Sequence, residues 1–263
     1  MDPHYDTIGK KYSATRAADP RITERLIDLL ALEIGSPIID IGAGTGNYSW
    51  ALADHGFHVY AVEPSRSMRD QAKSHDRLNW IAAIAESLPI PDAQFKGAVM
   101  TLALHHLEDW QQGIREALRV IGLGPLVIFA FDTNHKTAFW LVDYFPQFFD
   151  INGDRSPSFD ELTHFAKDTL GITFTHLQFP LPKDLIDHFF SADWSHPENY
   201  LQEKFRSGIS SFAKLDQQNL EHGLQSLHKD LQTGRWHQKY GELLDLEEYD
   251  QGYMFVRLGG ETY

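Results

Sequence analysis

The chain reads as an α/β protein built on a doubly wound, Rossmann-like sheet. A strand, turn, helix and strand follow one another over residues 37–62 around a glycine cluster. Apolar strand-like runs and helical stretches then alternate as far as Phe131, after which the alternation stops. Short β-branched runs bounded by Gly and Pro suit buried strands, and strands alternating with helices imply parallel neighbours joined by right-handed crossovers.

Taken in order, Asp19–Leu32 predicts a helix with Ile22, Leu26, Leu29 and Leu30 on one face. Pro37–Ile41 predicts the first strand, a helical stretch runs to His55, and Phe57–Val62 predicts the second strand. A helix around Ser65–Ser74, strands near Leu78–Ala83 and Ala98–Ala103, an amphipathic helix over Asp109–Ile121 and a strand at Leu126–Phe131 complete the first half. Beyond it lie helical stretches at Lys136–Phe145 and Phe159–Leu170, a strand at Ile172–Phe179, a long amphipathic helical region from Lys183 to Gln232, and a last strand at Tyr253–Leu258.

Length and composition narrow the function classes. The 263 residues, 42% hydrophobic and 23% charged, suit one domain with a sizeable core. There is no cysteine, which excludes disulfides, thiolate nucleophiles and cysteine-ligated metals. No basic-then-apolar leader opens the chain and no segment is long enough to span a bilayer, so the expected compartment is the cytoplasm, away from membranes. A formal charge of −14 works against phosphate-backbone binding, and nucleic acid is an unlikely partner. The densest basic stretch, Arg66–Lys73, is diluted by Asp70.

The glycine cluster carries the chemistry. Asp40-Ile41-Gly42-Ala43-Gly44-Thr45-Gly46 sits between strand and helix, where backbone passes close to a ligand and a Cβ would intrude. The dinucleotide fingerprint separates its second and third glycines by two residues; here Asn47 stands in that third place, which disfavours a nicotinamide oxidoreductase. Glu63, at the end of the second strand, is placed to accept hydrogen bonds from both ribose hydroxyls of a nucleotide-like cofactor.

Asp40–Gly46, Glu63-Pro64-Ser65 with Met68, Ala85-Glu86 before Leu88-Pro89, Leu104-His105-His106-Leu107, and Arg119-Val120-Ile121 leading to Gly124 resemble the successive motifs of the class I S-adenosylmethionine-dependent methyltransferases. Within them the chain is similar to the small-molecule type, methyltransferase domain 11-like, over residues 36–131. The resemblance implies a mostly parallel sheet with an antiparallel last strand, helices on both faces and a helical lid insertion. It implies one domain over 1–263: an arm and helix (1–35), a cofactor-binding core (36–131), an acceptor-side cap (132–171 and 183–245) and closing strands (172–182 and 252–259).

Carried over by position, the resemblance makes Asp40, Gly42, Ala43, Gly44 and Gly46 the holders of the methionine end of S-adenosylmethionine. Glu63 holds the ribose; Pro64 and Met68 lie near the adenine, and Ala85 and Glu86 border it. Thr101 and Leu102 open the segment that reaches His106 and lines the mouth between cofactor and acceptor. Tyr5, Tyr12 and Arg16 resemble a segment that folds over this pocket, with Arg16 paired to the methionine carboxylate. The chain departs from the family pattern at Ile84, where an acidic residue often meets the adenine amino group, and at Phe95-Lys96, where Phe-Asp is common.

A sulfonium methyl is already activated, so few catalytic side chains are obligatory. His105 and His106 follow the fourth strand at the ligand edge and are the candidate proton acceptors, with shaping of the pocket wall as the other reading. No histidine set has metal-ligand spacing, and no metal is expected. Tyr12, Trp140 and Tyr144 are the candidate acceptor pocket, drawn from aromatics that at helical spacing also build cores. The expected partner is a small-molecule substrate and the chain a monomer or homodimer. An RNA methyltransferase or a non-catalytic cofactor-binding module of the same fold are the alternatives.

Overall fold

The computed structural model describes residues 15–135, 139–148 and 156–260; Tyr5, Tyr12, Phe149 and the start of the expected Lys136–Phe145 helix lie outside them. Its strands are β1 Pro37–Ile41, β2 His58–Val62, β3 Leu78–Ile81, β4 Gly97–Thr101, β5 Leu126–Phe131, β6 Phe174–Gln178, β7 Leu181–Pro182, β8 Glu248–Tyr249 and β9 Tyr253–Leu258. Seven of them form one sheet in the order β3-β2-β1-β4-β5-β9-β6, with β7 and β8 paired separately. The first five are parallel, and β9 lies antiparallel between β5 and β6. This is the mostly parallel, doubly wound sheet with an antiparallel last strand that the sequence predicts.

Strand ends decide where ligands meet the sheet. Phe131 at the end of β5 faces Tyr253 at the start of β9, and Gln178 at the end of β6 faces Met254. Residues 179–252 therefore leave and re-enter the sheet at the edge where β1, β4 and β5 end. β4 stops at Thr101, short of the expected Ala103, because Leu102 turns into the left-handed region at φ 54°.

Each early helix has a local cause. Asp19 caps α1 (Pro20–Leu30) by accepting from the Arg21 amide, with Pro at the first position. α2 (Asn47–Asp54) starts directly on Gly46. α3 (Arg66–Arg69) is a single turn capped by Ser65, where a helix to Ser74 was expected. Asp109 caps α4 (Trp110–Ile121), and Ser158 and Glu161 form a capping box on α5 (Phe159–His164), which runs on into a π-helical turn to Thr169.

The amphipathic helical region expected from Lys183 to Gln232 is helical in separate pieces, short ones first and one long helix at its end. It contains a 3₁₀ turn at Pro197–Leu201, then α6 Glu203–Arg206, α7 Ser210–Ala213 and α8 Gln217–Gln232, with α9 Arg235–Tyr240 following just beyond it. Pro197 opens the 3₁₀ turn, and Asp216 caps a fresh start at α8.

Two cores lie on opposite faces of the sheet. Ile22, Leu26 and Leu30 of α1, at four-residue steps, pack with Leu52 of α2 on Val59, Val127, Phe129 and Phe255; Phe189, Trp194, Tyr200 and Phe212 of the insertion join this cluster. Each such side chain contributes roughly 1.5–3 kcal/mol by leaving water. On the other face, Ile114, Ala117 and Val120 of α4 and Leu162 of α5 cover Ile41, Met100, Ile128 and Val256. The insertion thus shares its core with the sheet.

Candidate functional site

At the glycine turn, Gly42, Gly44 and Gly46 have φ of 76°, 58° and 78°, a region in which an L side chain is strained. The amides of Gly42 and Ala43 donate to the Val62 carbonyl at 2.9 and 3.0 Å, fastening the turn to the end of β2. A Cβ on Gly42 would lie 2.6 Å from Ala103 Cβ, and one on Gly46 would lie 2.6 Å from the Trp80 ring. At Gly44 it would enter open space. Packing thus demands two of these glycines, whereas at Gly44 only the positive φ does. Trp80, on β3, escaped the sequence reading.

Glu63 is buried at the end of β2. Its Oε2 accepts from the Gly44 amide at 3.0 Å and its Oε1 from the Ser65 amide at 2.8 Å. Burial raises its pKa, and the Ser65 and Gly44 amides oppose the rise. The Arg69 guanidinium donates to the carbonyls of Glu63 and Pro64, which fixes the turn that follows.

Asp40 is buried beside it. Its Oδ2 accepts from Ser49 Oγ at 2.5 Å, while Oδ1 has no hydrogen-bond partner among the described residues. Burial pushes the Asp40 pKa up to about 6; the Ser49 hydroxyl opposes this and the Glu63 charge adds to it. Thr101 Oγ1, at the end of β4, is likewise buried without a partner. A buried oxygen without a donor is costly alone. These two oxygens and the open side of Gly44 fit the amino-acid end of the cofactor that the resemblance implies.

Beyond Thr101, Leu102 keeps its amide on the Phe129 carbonyl at 2.8 Å despite its positive φ. Non-glycine residues in that region collect at functional sites. The 3₁₀ turn Leu104–His106 follows, with the His105 and His106 rings 3.7 Å apart between centroids. Burial pushes the His105 pKa down to about 4, with the charges of Lys214 and Arg16 adding to it. His106 is also lowered, by burial first and then by His105, Lys214 and Arg16. Both rings are neutral near pH 7.

The remaining sequence-derived residues fall into two groups. Met68 on α3 and Ala85 are buried near this edge, and Ile84 is exposed. Glu86 turns its Oε1 to the amides of Glu108 and Asp109 at 2.9 and 3.3 Å, holding the entrance to α4. Trp140 and Tyr144 lie inside the cap: Trp140 Nε1 donates to the Trp194 carbonyl at 2.8 Å and its ring packs edge-on against Trp236, while the Tyr144 hydroxyl donates to Asp230 at 3.0 Å.

Arg16 meets a residue with no local sequence signal. Its Nε and Nη2 donate to Asp187 Oδ1 and Oδ2 at 2.5 and 3.1 Å, and Tyr48 of α2 donates its hydroxyl to the same carboxylate at 2.9 Å. Farther out on the cap, a cavity of about 280 Å³ is lined in part by His188, Asp193, His196 and Asn199. There Asp193 accepts from Asn199 at 2.8 Å and lies 2.6 Å from His188 Nδ1. Among the described residues no group of three His, Asp or Glu is arranged to hold a metal, and no helix is long and apolar enough to cross a membrane.

Comparison with known proteins agrees with this geometry. Residues 39–129 match the family model described as a methyltransferase domain. The chain is 42% identical to a crystal structure from Anabaena variabilis described as a methyltransferase from an antibiotic biosynthesis pathway; the match covers 92% of this chain and 98% of that one, with a TM-score of 0.88. An uncharacterized methyltransferase of Geobacillus is 31% identical over 111 residues, 41% of this chain and 52% of the relative. The demethylmenaquinone methyltransferase of Clavibacter sepedonicus is 36% identical over 98 residues, 36% of this chain and 40% of that protein. The chain spans about half the length, or less, of these curated relatives. With a near full-length relative at that identity and the glycine turn, Glu63 and the strand order in place, the chain belongs to the class I S-adenosylmethionine-dependent methyltransferases.

Proposed function

We propose that the chain transfers the methyl group of S-adenosylmethionine to a small-molecule acceptor seated between the end of β4 and the cap. The observation that carries this reading is the meeting of the left-handed glycines with Glu63, whose carboxylate orders the turn through Gly44 and keeps lone pairs for ribose hydroxyls. Asp40 Oδ1 would take the ammonium of the methionine end, the Gly42–Gly46 backbone with Ala43 would flank it, and Arg16 would meet its carboxylate. Pro64, Met68, Ala85 and Glu86 would surround the adenine, with Thr101 and Leu102 at the reacting end. When bound, the sulfonium supplies a methyl group already activated for transfer.

The work of the chain itself is then alignment and exclusion of water. Leu102 and the Leu104–His106 turn shape the acceptor side, and neutral His105 and His106 are able to take a proton from a hydroxyl or ammonium acceptor. Trp140 and Tyr144 support the acceptor wall from within the cap. A charge of −14 supports a small molecule over RNA. Calorimetric titration with S-adenosylmethionine and S-adenosylhomocysteine should show saturable binding, and labelled methyl should pass to small-molecule acceptors and not to bulk RNA. A folded protein that binds neither ligand at millimolar concentration refutes the reading.

A further inference from the structure

We infer that Asp187, in the insertion between β6 and β9, is a positioning residue for the cofactor, acting through Arg16. The inference rests on the cofactor reading above and concerns how the cap enters it. Arg16 belongs to the segment before α1, and its carbonyl accepts from Asn47 Nδ2 at 3.0 Å, which ties it to the first residue of α2 beside the glycine turn. Asn47 directly follows Gly46, so the backbone of Arg16 is fastened next to the glycine turn.

Asp187 fixes that guanidinium. It grips Nε and Nη2 in a two-point contact that sets the plane of the fork as well as its position, and Tyr48 holds the same carboxylate from α2. The side chains of Arg16 and Asp187 are 11% and 1% exposed. A pair so buried gives back in Coulomb energy little more than it loses in hydration, so its contribution is geometric order more than stability. Neighbouring contacts hold Asp187 in turn: the Ile186 amide donates to Asp19 Oδ2 at 3.1 Å and Arg21 pairs with Asp184 at 2.5 Å. Residues 184–187 thus dock on the capping residue of α1, on Arg16 and on α2 together.

A ligand pair separates this role from simple support of the fold. S-adenosylhomocysteine carries the amino-acid carboxylate, and 5′-methylthioadenosine has the same adenosine and thioether without it. Titrating wild type and Asp187→Asn with both, we expect the variant to lose tenfold or more in affinity for the first and less than twofold for the second. Tyr48→Phe, which removes one donor to Asp187 and leaves the charges in place, should show the same selectivity at two- to fivefold and serves if Asp187→Asn does not fold. Comparable losses for both ligands, or no loss for S-adenosylhomocysteine, overturn the inference. A wild-type protein that binds neither ligand refutes the cofactor reading instead.

Discussion

Glu63 Oε2 and the Gly44 amide, nineteen residues apart in the chain, meet at 3.0 Å, so the carboxylate at the end of β2 and the glycine turn after β1 are one hydrogen-bonded unit. Deleting the carboxylate orphans two backbone amides and, on the proposed reading, the ribose as well.

Glu63→Ala should therefore weaken S-adenosylhomocysteine binding by about 1–3 kcal/mol and also lower the melting temperature of the ligand-free protein. Glu63→Gln should be nearly as damaging, because its NH₂ group must face the Gly44 or the Ser65 amide. Calorimetry and thermal melts on the three proteins check this; unchanged ligand-free stability in both variants would contradict the double role.

Gly42→Ala and Gly44→Ala should separate packing from ligand space. At Gly42 the added methyl meets Ala103 Cβ at 2.6 Å and the backbone is left-handed, so instability of about 2–4 kcal/mol is expected. At Gly44 only the backbone cost of about 1–2 kcal/mol applies, and the methyl points into open space, which the proposed cofactor would occupy. Denaturant unfolding should rank Gly42→Ala as the less stable, while Gly44→Ala, still folded, loses cofactor binding.

Asp40 makes a pH prediction whose sign is fixed by burial. Its folded pKa, about 6, lies above the ordinary 3.8, so the neutral group favours the fold below about pH 4 and that advantage is lost as pH rises through 6. At pH 8 the buried charge costs the ligand-free fold about 3 kcal/mol. Asp40→Asn should thus raise the ligand-free melting temperature at pH 8 while weakening cofactor binding. In wild type, the thermal stabilisation by S-adenosylhomocysteine should grow from pH 5 to pH 7, as the carboxylate ionises to meet the ligand ammonium. A pH-independent stabilisation would count against Asp40 as the ammonium site.

For the histidines, a pKa of about 4 at His105 keeps the ring uncharged well below neutrality and makes it a weak base, which favours the pocket-wall role. With an acceptor in hand, kcat should hold steady from pH 8 to 6 and fall only toward pH 4. If one ring takes the proton, His105→Asn or His106→Asn should lower kcat about 10²–10⁴-fold with little change in cofactor affinity. Full kcat in both variants would leave the rings as pocket wall only.

The strands at Leu126–Phe131 and Tyr253–Leu258 were legible to the residue, because apolar and aromatic runs buried on both faces of a sheet carry their own boundaries. The glycine turn and Glu63 were legible because backbone geometry and charge placement are local. The early stop of β4 was not, since Leu102 takes a positive φ that its side chain does not announce. In the cap, Leu185, Phe189, Leu201, Phe205 and Phe212 recur at helical steps and do join the core shared with the sheet, but the breaks between the short pieces that carry them have no such local signal. Asp187 was invisible because its partners Tyr48 and Arg16 lie 139 and 171 residues away.

The register that sets Gln178 opposite Met254 fixes the cap as a closed loop whose two ends sit on neighbouring strands, about 5 Å apart. Doubling the length of such a loop adds only about 0.6 kcal/mol of closure entropy. The junction is thus tolerant of caps of very different size, provided each brings an apolar underside to cover Val127, Phe129 and Phe255. An exchange of this segment at the junction leaves the glycine turn and Glu63 in place, but it must also supply partners for Trp140, Tyr144 and Arg16, which now meet Trp194, Asp230 and Asp187.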